Sequence, residues 1–230
     1  MLLDLLTTGA TREFLISFLL FLPVMLISLP LHEVAHGWMA DKMGDHTARN
    51  FGRLTLNPLK HLDPMGTLCM LVFGFGWAKP VPINTRNFDK PRKGMALTAL
   101  AGPMANLLLC FICVLLEHLF ALLFTVIGVA TVQVFYVMQA FLTFWYLMAY
   151  YNAVLCVFNL IPIPPLDGSR IVGLLLPARW YWKVMQYERY VMYGFLILVF
   201  VLSRFGISLV GYPAGALVSL FEWLFLAIGL

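Results

Sequence analysis

FLISFLLFLPVMLISLPLHEVAHGWMADKM, residues 14–43, is the stretch whose reading decides the fold. A bilayer span needs about 20 predominantly apolar residues, and the run from Phe14 to Met43 is long enough. Near its end stands His32-Glu33-Val34-Ala35-His36. On a helix, residues four apart lie on one face, so both imidazoles can reach a single metal ion. Glu33 falls beside them, where a carboxylate can take a proton from an activated water. Two histidines and a glutamate are expensive inside hydrocarbon, and ionisable groups kept there mark function.

Working outward, the composition agrees with a membrane setting. Apolar residues make up 62% of the 230, charged residues 11%, and the mean hydropathy is +0.89. A soluble domain has about a quarter of its residues charged. The chain reads as all-α and polytopic, and its length fits one domain, residues 1–230. Asp4, Arg12 and Glu13 precede the first apolar run in place of a basic cluster, so no cleaved signal peptide is expected. Cys110 and Cys113 form a CxxC inside Leu-Leu-Leu-Cys-Phe-Ile-Cys-Val, which reads as small residues in a packed span. The scattered basic residues form no aromatic-interleaved patch, so a nucleic-acid partner is not expected.

The apolar segments are 14–42, 66–77, 96–127, 132–161, 190–210 and 214–229, which predicts about five to six transmembrane segments. The second is too short to span and ends in Phe73-Gly74-Phe75-Gly76-Trp77, the composition of a re-entrant loop or a short β-hairpin shielded by protein or water. If it dips in and returns, 13 of the 15 basic residues share one side, with only Arg12 and Arg204 near the other. The positive-inside rule then puts the charged loops and the HEVAH end in the cytoplasm and the N-terminus outside.

Two histidines leave a zinc site short of the three protein ligands usual in catalysis. His46, His61, His118 and Asp167 are the candidates. Asp167 ends Asn159-Leu-Ile-Pro-Ile-Pro-Pro-Leu-Asp167-Gly168, where three prolines break the helix and can aim a side chain inward. Pro-Leu-Asp-Gly also suits a plain turn or helix cap.

HEVAHGWMA, LDPMGT, GWAKPVPIN, AGPMAN and NLIPIPPLDGSRI, in this order from about Pro30 to Arg170, resemble the site-2 protease family of intramembrane zinc metalloproteases. The resemblance implies one Zn²⁺ per chain on His32, His36 and Asp167, with Glu33 as general base. It implies an oxyanion-stabilising or substrate-orienting role for Asn159 and offers Asn106 as a second functional asparagine. The catalytic core then covers about residues 14–170 and the C-terminal helices about 190–229. The chain resembles the minimal branch, without an inserted PDZ or appended CBS domain.

The activity implied is hydrolysis of peptide bonds in or near transmembrane segments of other proteins, by an integral multi-pass enzyme of a bacterial-type cell membrane with its site toward the cytoplasm. A substrate helix must be locally unwound first. The alternating, proline-bearing run Gly76–Asn84 is a candidate edge strand for pairing with an extended substrate, through Trp77, Val81 and Ile83. Two other readings compete. A zinc transporter needs a polar through-pathway, and the outer halves of these spans offer little beyond Glu117, His118 and Gln133. An inactive relative that only binds membrane proteins has no use for the complete catalytic set.

Overall fold

The computed structural model describes residues 11–73, 77–128, 131–177, 179, 183 and 186–229. Asp4 and the glycine-rich residues 74–76 lie outside them. The described residues are helical apart from turns and extended links, and the fold is that of an all-α polytopic membrane protein. Its contacts divide the chain into two compact units, Met1–Gly94 and Met95–Leu230.

In the first unit, α1 (Thr11–Lys42) carries Pro23 and Pro30 inside the helix. Each removes a backbone donor from the helix interior. Trp38, exposed near the end of α1, lies under the Lys42 ammonium at 5.5 Å. A short α2 (Thr47–Asn50) and the 3₁₀ turn Pro58–Lys60 pack against α1. Asp63 caps the next helix, α3 (Pro64–Phe73), by accepting the Gly66 N–H at 2.8 Å. Pro64 stands at its first position, where a missing N–H costs nothing. The second apolar segment is thus a ten-residue helix as far as Phe73.

Residues 77–84 run extended and end in the 3₁₀ turn Thr85–Asn87. The expected hairpin is reduced to one antiparallel bridge, Leu62 to Ala78, and no strand forms among the described residues. Pro80 and Pro82 have no N–H, so a continuous ladder cannot be built through them.

The second unit holds most of α4 (Pro91–Ile127), then α5 (Val132–Leu160), α6 (Asp167–Val172), α7 (Glu188–Arg204) and α8 (Gly211–Ala227). α8 packs along α5, and α6 folds back on the end of α5. Cys110, Cys113 and Cys156 are free thiols buried in this core, which fits the reading of small packed residues. Asn106 on α4 donates to Asn152 on α5 at 2.8 Å, and Asn152 donates to the Met148 carbonyl at 2.7 Å. Both asparagines are fully buried. Such bonds tie helices together where the hydrophobic effect gives no drive between them.

Three helices are long and apolar enough to cross a membrane: α1 from Phe18, α4 and α5. α7 and α8 have 17 residues each, about 25 Å against a hydrocarbon core of about 30 Å. The apolar run 190–210 breaks because Gly206 turns with a φ of +75°, a conformation that favours glycine.

Candidate metal centre

His32, Glu33 and His36 follow Pro30 on α1 in the first unit, with the two histidines on one helical face. The His32 and His36 Nε2 atoms stand 2.9 Å apart, with the rings edge to face at 4.5 Å. Both histidines are only 7% exposed. Two imidazole nitrogens bound tetrahedrally at about 2.0–2.1 Å would be roughly 3.4 Å apart. Small side-chain torsions span that difference, so the donor pair fits a zinc ion.

The Glu33 Oε2 accepts the Val81 N–H at 2.8 Å. The residue that holds Glu33 thus comes from 48 positions downstream. Val81 is buried, only 6% exposed. Its seat is a notch at Gly37, where an added Cβ would lie 2.7 Å from Leu54 Cδ2, 3.1 Å from Val81 Cγ1 and 3.2 Å from the Ala48 Cβ. Gly37→Ala gains about 1 kcal/mol of helix propensity but overfills a packed site at a cost of about 1–3 kcal/mol. Leu54 can rotate away, whereas β-branched Val81 is stiff and held through its N–H. A lower melting temperature in mild detergent is the expected result, and a higher one would show that the notch is open.

The extended segment 77–84 is strapped to its unit at further points. The Lys79 N–H donates to the His61 carbonyl and Arg53 Nη2 to the Lys79 carbonyl, both at 2.7 Å. Beyond Val81, the Asn84 N–H donates to Asp45 Oδ2 and Asn87 Nδ2 to Asp45 Oδ1, each at 2.7 Å. Thr47 adds its N–H at 3.1 Å and its hydroxyl at 2.5 Å to the same Oδ1.

Burial pushes the Asp45 carboxyl up, but the Thr47, Asn84 and Asn87 donors outweigh it and hold the pKa below the ordinary carboxylate value. A depressed folded-state pKa adds stability that is present above the unfolded value, about 3.9, and lost as the pH falls through the folded one. Unfolding measured in detergent against pH is therefore expected to hold this contribution through neutrality and lose it below about pH 4. Asp45→Asn should remove that acid limb; an unchanged limb would assign it to other carboxylates.

Of the residues singled out for substrate contact, Trp77 is 48% exposed and Ile83 half-buried, while Val81 faces inward. Asn106, Asn159 and Asp167 belong to the second unit. The Asn159 side-chain amide donates to the Leu155 carbonyl at 3.0 Å, and Asn106 makes the interhelical bond to Asn152. Asp167 is half-buried and opens α6 as its first helical residue, Leu166 being the cap. The backbone between Leu160 and Asp167 is broken at Pro162, Pro164 and Pro165, as the prolines predicted. Gly168 permits the fold-back: a Cβ there would lie 2.2 Å from the Leu160 carbonyl oxygen and 2.5 Å from that of Ile161.

The other three histidines have partners of their own. His46 Nδ1 bonds Asp41 at 2.8 Å, His61 Nε2 donates to the Thr55 carbonyl at 2.7 Å, and His118 Nδ1 to the Val114 carbonyl at 2.9 Å.

A buried histidine pair with an adjacent carboxylate, on an apolar helix able to span a bilayer, defines the class of membrane-embedded metal-dependent hydrolases. Residues 20–202 match peptidase family M50. The chain is 44% identical over 175 residues, 76% of its length and 77% of the other's, to a Bacillus subtilis (strain 168) protein provisionally named zinc metalloprotease YwhC. It is 36% identical over 157 residues to Rip2 of Mycolicibacterium smegmatis and to Rip2 of Mycobacterium tuberculosis, provisionally named zinc metalloproteases as well. That alignment covers 66% of this chain and 55% of each Rip2, so the chain spans about half the length of those relatives. No solved structure matches. The chain belongs to peptidase family M50, and it is a peptidase.

Proposed function

We propose that this chain is a zinc metalloendopeptidase that cuts membrane proteins in or near their transmembrane segments, and that residues 1–230 act as one catalytic domain. The observation that carries the reading is the converging His32 and His36 pair with Glu33 on the next position of the same helix. His32 and His36 supply two ligands and Asp167 the third, the last supported by its place on proline-broken backbone in Pro164-Pro165-Leu166-Asp167-Gly168. A zinc ion held by such a set lowers the pKa of water toward about 7 and polarises a scissile carbonyl.

The rest of the reaction falls to the chain. Glu33 accepts the proton of the attacking water and returns it to the leaving amine. The Val81 N–H binds Oε2 of that carboxylate and restrains its orientation, with Oε1 the proposed proton acceptor. Asn159 retains one amide hydrogen beyond its bond to Leu155 and is the proposed donor to the oxyanion. Asn106 supports the site indirectly, by holding α4 to α5 through Asn152. Trp77 and Ile83 are the proposed substrate contacts on the strap, and the substrate is a transmembrane protein presented within the lipid bilayer.

The charge distribution supports a bacterial-type cell membrane with the site on the cytoplasmic side. The first test is the zinc content of the purified protein in mild detergent. About one ion per chain is expected, and none after metal-replete purification would sink the proposal.

A further inference from the structure

Asp45 is fully buried, and its carboxylate gathers four donors from two places in the chain: the Thr47 N–H and hydroxyl, the Asn84 N–H and the Asn87 amide. We propose that Asp45 is a positioning residue for the peptidase reaction, clamping the strap at Asn84 and Asn87 so that the Val81 N–H stays on Glu33. The catalytic half of this inference rests on the function proposed above, whereas the clamp itself does not.

The local sequence explains why Val81 depends on a clamp. Pro80 and Pro82 flank it and have no N–H, so Val81 carries the single backbone donor of the three. Pro82 also keeps Val81 extended, so the direction of its N–H follows the position of the whole strap. That position is pinned at both ends. Upstream, Lys79 is held by the His61 carbonyl and by Arg53. Downstream, the first ties are those to Asp45. An ionised acceptor makes hydrogen bonds roughly twice as strong as a neutral one, and two of the four donors sit on Thr47, which anchors Oδ1 of the carboxylate. Without Asp45, the strap from Pro82 onward loses its charged anchor among the described residues, and Glu33 loses the orientation its proton transfer needs.

The test is hydrogen–deuterium exchange of the full chain in detergent, read at the Val81 amide, which its proline neighbours isolate from other exchangeable amides. Asp45→Asn is expected to speed exchange at Val81 and Asn84 at least tenfold. Asn87→Ala, at an exposed position where truncation spares the core, should do so less strongly, and it decides the matter if Asp45→Asn does not fold. Glu33→Ala should free Val81 alone. If Asp45 acts on Val81 through its bond to Glu33, Val81 in the Asp45→Asn/Glu33→Ala double variant exchanges no faster than in Glu33→Ala alone. Val81 exchange within twofold of wild type in both Asp45→Asn and Asn87→Ala overturns the clamp.

On the zinc-loaded enzyme, Asp45→Asn should lower kcat about tenfold or more with KM within twofold and the zinc content unchanged. Accelerated exchange with kcat intact overturns the positioning role. A wild-type protein that binds no zinc and cuts nothing would defeat the proposed function, while the exchange measurement would still decide the clamp.

Discussion

Glu33→Gln is expected to lower kcat by about 10²–10⁴-fold, the range associated with losing a general acid–base group, while about one zinc per chain remains bound. The substitution is nearly isosteric. The glutamine carbonyl can still accept the Val81 N–H, so the strap and the two histidines keep their places. What is lost is the capacity to take a proton from water and hand it to the departing amine. Single-turnover cleavage of a single-span reporter reconstituted with the enzyme reads the effect, with metal content measured on the same preparation. Cleavage within a few-fold of wild type would remove Glu33 from the role of base. Lost cleavage together with lost zinc would show that the residue acts on metal binding.

Asp167→Ala is expected to reduce bound zinc from about one per chain to a small fraction after dialysis against a chelator, and to abolish cleavage with it. Catalytic zinc sites keep three protein ligands and one open position, and a pair of imidazoles alone holds the ion far less firmly. Retention of zinc at wild-type level would move the third ligand elsewhere. His46, His61 and His118 are the remaining histidines, and each would first have to give up its bond to Asp41, Thr55 or Val114.

Much of the centre is legible locally. The four-residue spacing of His32 and His36 needs only a helix to bring the rings together, and the apolar run supplies it. The prolines before Asp167 announce the break between α5 and α6, because each removes a donor that the helix needs. The long apolar runs likewise give α4 and α5. The misjudged element is the strap. Alternation across Gly76–Asn84 suggests a strand, but Pro80 and Pro82 deny it a ladder, and Val81 turns its side chain into the Gly37 notch. What could not be read at all is long-range. The Glu33–Val81, Asp45–Asn84 and Asp45–Asn87 bonds join residues 48, 39 and 42 positions apart. Asn152 is silent in the sequence for the same reason: a lone asparagine in an apolar run gives no sign that Asn106 faces it.

Trp38 and Lys42 carry a consequence for where a substrate is severed. Tryptophan with a neighbouring lysine favours the headgroup level of a bilayer, and this pair stands two and six residues beyond His36. At about 1.5 Å per residue, His36 then lies about 3 Å and His32 about 9 Å below that level. On the proposed reading the scission plane is shallow, within two turns of the membrane border. One fragment departs with only a stub of greasy residues and can escape into water, while the other keeps nearly its whole anchor and stays behind.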